Sequence, residues 1–557
     1  YEKGVRNEAI WNFLTHNSRA NQQLKSDIEA QVASARLGVR RFHELIERYG
    51  KDTIISATQQ LMDYTERILR QKIEQIPDGE YRAEGFLDDD GKNRGIRLPV
   101  KVCVRIKGDS IEVDLTGSAD QVETGFNVPF EGSTKVACFC AIRSLLLDAE
   151  TSEIQVPSNE GSFRPIQVTA PKGSIYNPKF PAAAEARFTQ CNRVIDLIYN
   201  ALAPVLPDQI IAGSSASLSF AAYSGVRPSG DYWVFLEVNE GAYGGRPKSD
   251  GPDSIDNLMA NTRNNPLEDL AIHLPMICDR YELRDDVLPG AGRYRGGIGV
   301  VKSQRVLTDG FITHENERHH DVPWGIFGGW PGATGKVEIY NVENPSEIKD
   351  MPAKFSGLKI NAGDVHAFYA PCGGGYGEPL ERPAAQVLDD VLDDFCTVEH
   401  AKAAYGVVVD LVNERVDEAA TESLRAQMRN QPAQPEASRP ARTDVKAVDT
   451  SVSVPAVSAP PVDAVPTEGV KTDRVDTIES MVEALRKAYG DAWGFDVVYH
   501  SSYRGRTEVR GELRVNGIYV SETVRSEDDV ELSAGKNLQS VTEQSFFKCV
   551  QKALLNQ

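Results

Sequence analysis

The stretch from Glu240 to Gly299 constrains this chain more than any other. It holds Gly241-Ala-Tyr-Gly-Gly-Arg246, Asp250-Gly-Pro-Asp253, Asn261-Thr-Arg-Asn-Asn-Pro-Leu-Glu268 and Gly290-Ala-Gly-Arg-Tyr-Arg-Gly-Gly-Ile-Gly299. Glycine at this density works against regular helix and permits positive φ or close backbone approach. Asn and Asp bond their own backbone and tolerate left-handed geometry. Arginine adds a rigid fork of donors suited to carboxylate or phosphate. Two readings stay open: a polar, loop-built site for a small ligand, or a set of tight turns joining strands of a large β-rich core.

The rest of the chain is read around that stretch. Leu24, Ile28, Val32, Ala35, Val39, Phe42, Ile46 and Tyr49 recur at three- and four-residue steps, which predicts a helix stopping at Gly50. Ile54, Leu61, Tyr64, Ile68 and Ile73 predict a second helix packed antiparallel to it. The period switches to two at Val100, and a hairpin is expected through Gly108-Asp109. It leads to Asp114 and Asn127, a carboxylate and an amide that either face a ligand or cap a loop. A buried helix is expected over Thr134–Asp148, and another opening at Pro181. Further on, His314-Glu-Asn-Glu-Arg-His319-His320 invites a metal reading. Strand alternation puts only His314 and His320 on one face, so they are weak ligand candidates against a polar loop at a pocket rim. Pro371-Cys-Gly-Gly-Gly-Tyr-Gly377 is either an anion nest or a tight turn, and no Gly-Lys-Ser/Thr follows to make a P-loop. Helices are expected over Ala384–Phe395 and Val398–Ala404.

Residues 428–474 carry seven prolines and no aromatic residue, the composition of a disordered linker. Beyond it the pattern reads α-β-β-β-α, with Asn516-Gly517 as a hairpin turn. That order suits a double-stranded-RNA-binding domain, but residues 475–557 have ten Lys/Arg against thirteen Asp/Glu. Phosphate contacts need the opposite balance, so subunit docking is the expectation. The expected fold is therefore α+β and multidomain. It comprises an N-terminal helical hairpin (1–80), a large mixed β-rich core with Gly-rich loops (81–427), the linker (428–474) and a small C-terminal module (475–557). A net charge of −20 argues against nucleic-acid or anionic-membrane binding. No run of about 18 apolar residues reads as a span. Eight cysteines without a Cys-x-x-Cys pair suit a reduced, cytoplasmic protein.

Eight motifs in one order resemble the hydantoinase B/oxoprolinase family over residues 4–425. They are Asn17-Ser-Arg19 with Ser26-Asp-Ile-Glu-Ala-Gln31, Val113-Asp-Leu-Thr-Gly117, Tyr243-Gly-Gly-Arg246 with Asp250-Gly-Pro-Asp253, and Asn261-Thr-Arg-Asn264. Pro266-Leu-Glu268, Arg293-Tyr-Arg-Gly-Gly297, Arg318 with Pro323-Trp-Gly325, and Gly373-Gly-Gly-Tyr-Gly-Glu-Pro379 complete the set. The resemblance implies a B-type subunit acting with a hydantoinase A-like ATPase subunit in a hetero-oligomer, with room for further small subunits. ATP and Mg2+ are expected on the partner. A divalent metal, Zn or Mn, is implied through His and Asp motifs of a segment this sequence does not contain. The reaction implied is ATP-dependent opening of a hydantoin, oxoproline or lactam. Alternatives are carboxylation of a ketone, as in acetone and acetophenone carboxylases, and a non-catalytic scaffold. Under the resemblance, Asn261, Arg263 and Asn264 are candidate donors to a developing oxyanion. Asp253 and Glu268 are candidate bases or orienting groups. Tyr243, Arg246 and Arg295, with Asp114 and Asn127, are candidates for holding substrate. Arg263, Glu268 and Arg295 could instead form a buried ion-pair network.

Overall fold

A computed structural model describes residues 1–18, 21–147, 156–216, 219–260, 262–430, 493–501, 507–515 and 518–526. The chain divides into two compact units, Tyr1–Val448 and Asp449–Gln557.

The first unit opens with helices α1 (Glu8–His16), α2 (Asn21–Tyr49) and α3 (Lys51–Ile73). The apolar spacing thus reads the first long pair to within three residues at each end. Gly50, at φ 82°, breaks α2 from α3, a backbone state an L side chain rarely adopts. α2 buries no residue, whereas α3 buries Thr65, Ile68, Leu69 and Ile73 at its C-terminal end. That end enters a core built on a four-stranded sheet, β1 (Gly79–Leu87), β2 (Leu98–Lys107), β3 (Ser110–Asp114) and β4 (Ile166–Thr169). β2 and β3 form the predicted hairpin, with Val104 opposite Val113. α4 (Lys135–Leu146) and α5 (Phe188–Leu202) pack on the inner face. The helix expected from Pro181 begins only at Phe188. Residues 184–186 are instead drawn alongside 125–126, through the Phe126–Ala184 bridge and the bond from Ala186 N to Gly125 O.

The second half is a sandwich. One sheet runs β11 (Asn344–Met351), β10 (Lys336–Asn341), β13 (Asp364–Tyr369), β8 (Val300–Val306), β7 (Met276–Leu283). The other runs β12 (Lys354–Ile360), β9 (Gly310–Glu315), β5 (Ser219–Val226), β6 (Tyr232–Asn239). Their inner faces share Tyr223, Phe235, Val300, Ile312, Phe355 and Phe368 as one core. α6 (Leu267–His273) lies before β7; α7 (Ala384–Leu392), α8 (Val398–Tyr405), the ribbon β14 (Val409–Asp410) and β15 (Arg415–Val416), and α9 (Glu418–Arg429) follow the sandwich.

The glycine-rich segments are joined to one another by a dense set of backbone hydrogen bonds. Gly245 N donates to Gly374 O at 2.8 Å, Gly297 N to Tyr243 O at 2.9 Å, Gly373 N to Gly297 O at 2.9 Å and Gly213 N to Trp324 O at 2.8 Å. A Cβ on Gly296 would lie 1.9 Å from Gly373 O, and one on Gly373 would lie 2.0 Å from Tyr243 O. Only glycine lets the segments come this close.

In the second unit, β16 (Trp493–Ser501), β17 (Thr507–Val515) and β18 (Ile518–Ser526) form an antiparallel sheet in that order. Val515 pairs with Ile518, as the hairpin expectation requires. The turn residues 516–517, the linker from 431 and both expected flanking helices lie outside the described residues.

Candidate functional site

Three charged residues of the opening stretch, Asp250, Asp253 and Arg295, are paired within the chain. Arg295 is buried and closes on Asp253 in a fork, Nη1–Oδ1 at 2.8 Å and Nη2–Oδ2 at 3.2 Å. Its Nε reaches Asp390 at 3.4 Å, and its guanidinium lies 4.4 Å from the Phe395 ring. Arg382 binds Asp250 at 2.6 and 2.8 Å and Asp390 at 2.9 Å. Asp250 and Asp253 also accept from the backbone N of Arg295 and Ile298. This is the ion-pair network named as the alternative for Arg295; Arg263 and Glu268 stay outside it, both exposed. Tyr243 is half-buried, and burial raises its phenol pKa. Arg246 is exposed, its Nε donating to Asp250 O at 3.0 Å. Asn264 is exposed and donates to the Tyr281 hydroxyl, which donates to Glu240 at 3.0 Å. Asn261 lies outside the described residues.

The other candidates scatter. Asn127 is fully buried, and its amide is engaged by Val122, Thr124 and Ala183. Asp114 sits on the open face of the first sheet, 2.8 Å from Arg105. Burial opposes its charge, but hydrogen bonds from Thr116 and Arg105 hold its pKa below the usual range. His314 lies in the sandwich core, its ring 4.9 Å from that of His366. His320 is exposed, with its backbone N bonded to Asp88. The two histidines do not converge, and no group of three or more His, Cys, Asp or Glu among the described residues could hold a metal ion. The described residues thus do not fit the implied metal.

The convergence of ionisable groups lies elsewhere, where the ends of β1 and β9 and the start of β12 meet the first turn of α5. Asp88 follows β1, Glu315 ends β9 with Glu317 just beyond it, Lys354 opens β12, and Thr189 and Gln190 begin α5. All six are buried. Lys354 Nζ pairs with Glu317 Oε1. Asp88 N donates to Glu317 Oε2 at 2.9 Å, and Asp88 accepts from His319 N at 2.8 Å. Burial opposes the Lys354 ammonium, yet Glu317, then Asp88, keep its pKa above the ordinary value. Burial lowers the His319 pKa to about 4, against the pull of Asp88. Burial raises Glu315 to about 8, with Lys354 pulling the other way. At neutral pH the centre therefore holds a fixed cation, a neutral imidazole and a carboxyl that can still carry its proton.

Arg318 frames this centre at φ 68°, a strained backbone state for a side chain of its size. It binds Asp196 at 2.6 Å, and Asp196 also accepts from Trp324 and Ser214. Several polar atoms here have no hydrogen-bond partner among the described residues: Glu315 Oε2, Gln190 Nε2, and Nε and Nη2 of Arg193. Such atoms cost free energy when buried, so each asks for a partner. The sequence carried signals for the centre. One is the run Asp88-Asp-Asp90; the other is the alternation Glu315, Glu317, which the histidines on either side overshadow.

Comparison with known proteins agrees with the motif order. The hydantoinase B/oxoprolinase family matches residues 1–379. A putative D-/L-hydantoinase B-type subunit of Pseudomonas sp. (strain NS671) is 42% identical over 432 residues, covering 76% of this chain and 72% of that protein. The crystal structure of the ATP-dependent caprolactamase from Pseudomonas jessenii superposes with a TM-score of 0.65 at 26% identity, over 76% of this chain and 73% of that one. A nucleotide-free acetone carboxylase structure gives a TM-score of 0.67 at 18% identity, over 76% of this chain and 62% of that one, a likeness of fold. With the family match over most of its length and a relative 42% identical, this chain belongs to the hydantoinase B/oxoprolinase family.

Proposed function

We propose that this chain is the B-type subunit of an ATP-dependent, multi-subunit enzyme that opens a cyclic amide, and that the buried centre at Asp88, Glu315, Glu317, Lys354 and His319 carries its acid–base work. The observation that carries the reading is Glu315, a buried carboxyl with pKa about 8, in one cluster with a buried, paired lysine. An unstrained amide needs charge stabilisation at its oxygen and a proton for its departing nitrogen. Lys354 supplies positive charge in a buried site, where it acts more strongly than in water. Glu315, neutral at pH 7, supplies the proton; His319, neutral as well with its pKa lowered to about 4, is a weak base that accepts a hydrogen bond rather than carrying the proton. ATP and Mg2+ act on a hydantoinase A-like partner, and the hetero-oligomer reading follows the subunit names of the relatives. Arg246, Arg263, Asn264 and Glu268 are each exposed and are assigned to substrate entry or partner contact. The enzyme is assigned to the cytoplasm; no helix among the described residues is long and apolar enough to cross a membrane.

The test is co-purification with the A-type ATPase subunit and assay of ATP hydrolysis with hydantoin, 5-oxoproline or a lactam. Ring-dependent ATP consumption that falls at least tenfold in Glu315→Gln supports the reading. ATP consumption that needs bicarbonate and a ketone, with no response to any cyclic amide, overturns it in favour of a carboxylase.

A further inference from the structure

α2 is 29 residues long, about 43 Å at 1.5 Å per residue, and buries none of them. Helices in proteins draw most of their stability from packing an amphipathic face, so a helix of this length with an apolar stripe and no buried residue calls for a partner. The N-terminal residues cover one half of it. Arg6 reaches Glu29 at 3.4 Å, Arg36 donates to Gly4 O at 3.4 Å, and the Arg36 guanidinium lies 5.8 Å from the Tyr1 ring. Ile28 and Val32, on that half, are half-buried. On the other half Val39, Phe42, Leu45 and Tyr49 stand between 44% and 61% exposed.

These exposed side chains share one face. At about 100° per residue, Gly38, Val39, Phe42, Leu45, Ile46 and Tyr49 fall within an arc of about 120°. No charged residue between Gly38 and Tyr49 enters that arc. Leu37, also exposed, points about 140° away from Phe42. An uncharged arc of this kind is the surface of a helix–helix contact. The charges are sorted along the helix instead. Residues 36–42 hold Arg36, Arg40 and Arg41 and no acid, whereas residues 43–52 hold Glu44, Glu47 and Asp52 against Arg48 and Lys51.

We propose that this face of α2 is an interface between two copies of the chain, paired antiparallel about a two-fold axis between Phe42 and Ile46. The sorting of charge selects that occupant and that direction. A parallel mate would stack arginine on arginine. An antiparallel mate sets the arginine end of each copy at the level of the acidic end of the other, and opposes the two helix dipoles. About that axis Phe42 of one copy faces Ile46 of the other, and Val39 faces Tyr49, so each layer joins a larger side chain to a smaller one. A two-fold contact needs such a self-complementary patch. The interface uses no residue of the buried centre and stands apart from the cyclic-amide reading.

The experiment is sedimentation velocity of the full chain, joined to cross-linking. Wild type is expected as a dimer at about 10 μM, and Phe42→Glu as a monomer with its helical circular dichroism unchanged, since Phe42 is exposed in the single chain. Leu37→Glu, on the far side of the helix, should remain dimeric. Direction is read from Leu45→Cys and Val39→Cys with a short bis-maleimide, each scored against wild type. The two Leu45 positions lie beside the axis and should cross-link. The two Val39 positions are about 15 Å apart along it and should not. A dimer that Phe42→Glu leaves intact, or cross-linking through Val39→Cys and not Leu45→Cys, overturns the proposal. So does a wild-type monomer at about 50 μM. Loss of binding to the A-type subunit in Phe42→Glu would then assign the face to that subunit.

Discussion

Lys354→Met is the sharpest probe of the buried centre. Lys354 and Glu317 are 2% and 0% exposed, and the ammonium is the direct partner of the carboxylate. Methionine matches most of the length of the stem but leaves Glu317 buried without its cation. Breaking one half of such a pair costs about 3–5 kcal/mol. Unfolding gains about 2.1 cal/mol/K of entropy per residue, so a first unit of ~430 residues has ~0.9 kcal/mol/K, and the melting temperature should fall by about 3–6 °C. The informative comparison is Lys354→Met/Glu317→Gln. Glutamine can still accept from Asp88 N, which donates to Glu317 Oε2 at 2.9 Å, and it carries no charge. The double variant should recover more than half of the loss, giving a coupling of about 2–3 kcal/mol. Calorimetry with urea titration of the same four proteins measures it. A single-variant cost below about 1 kcal/mol, or a double variant no more stable than Lys354→Met, would refute a buried charge pair at this place.

Other outcomes are as specific. Glu315 has a folded pKa of about 8, above its unfolded value, so its contribution to stability falls as pH rises from the ordinary glutamate range to about 8, by about 1.4 kcal/mol per unit. Glu315→Gln should therefore gain on wild type across that window in denaturant titrations and stay level above it. His319 and His366 have folded pKa values lowered to about 4 and about 3, chiefly by burial, so their stability is present above the unfolded histidine value and is lost as pH falls towards those values. Together these groups place the stability maximum slightly below pH 7, and a maximum above pH 8 would contradict them. Gly296→Ala should melt far lower or fail to fold, because its Cβ meets Gly373 O, whereas Gly38→Ala on α2 meets no atom within 4 Å and should gain up to ~1 kcal/mol. Arg246→Ala and Asn264→Ala should lower turnover of the assembled enzyme with the melting temperature within about 1 °C, and full turnover in both removes these exposed residues from the mechanism.

Some of the fold was legible because its signals are local. The a/d-like spacing from Leu24 to Tyr49 gives α2, and the alternation at Val100–Ile106 gives β2. The helix expected at Pro181 was not legible, because a bridge from Ala184 to Phe126, 58 residues away in sequence, overrides local propensity there. The site was legible as a family of motifs and much less as a set of roles. Asp253 and Arg295 are 42 positions apart, and nothing local says whether an arginine faces a substrate or a carboxylate of its own chain.

The sequence by itself determined the family, the α+β class and the need for glycine where five segments run backbone to backbone. Those properties follow from residue type and order: a Cβ either fits or does not, and a period is either 3.6 or 2. Only the tertiary structure decided which charges are paired and which are poised. It joined Arg295 to Asp253 and Asp390, and it gathered Asp88, Thr189, Gln190, Glu315, Glu317 and Lys354 from four distant stretches into one buried centre. A protonation state is set by burial and neighbouring charge, and neither exists until the chain has folded.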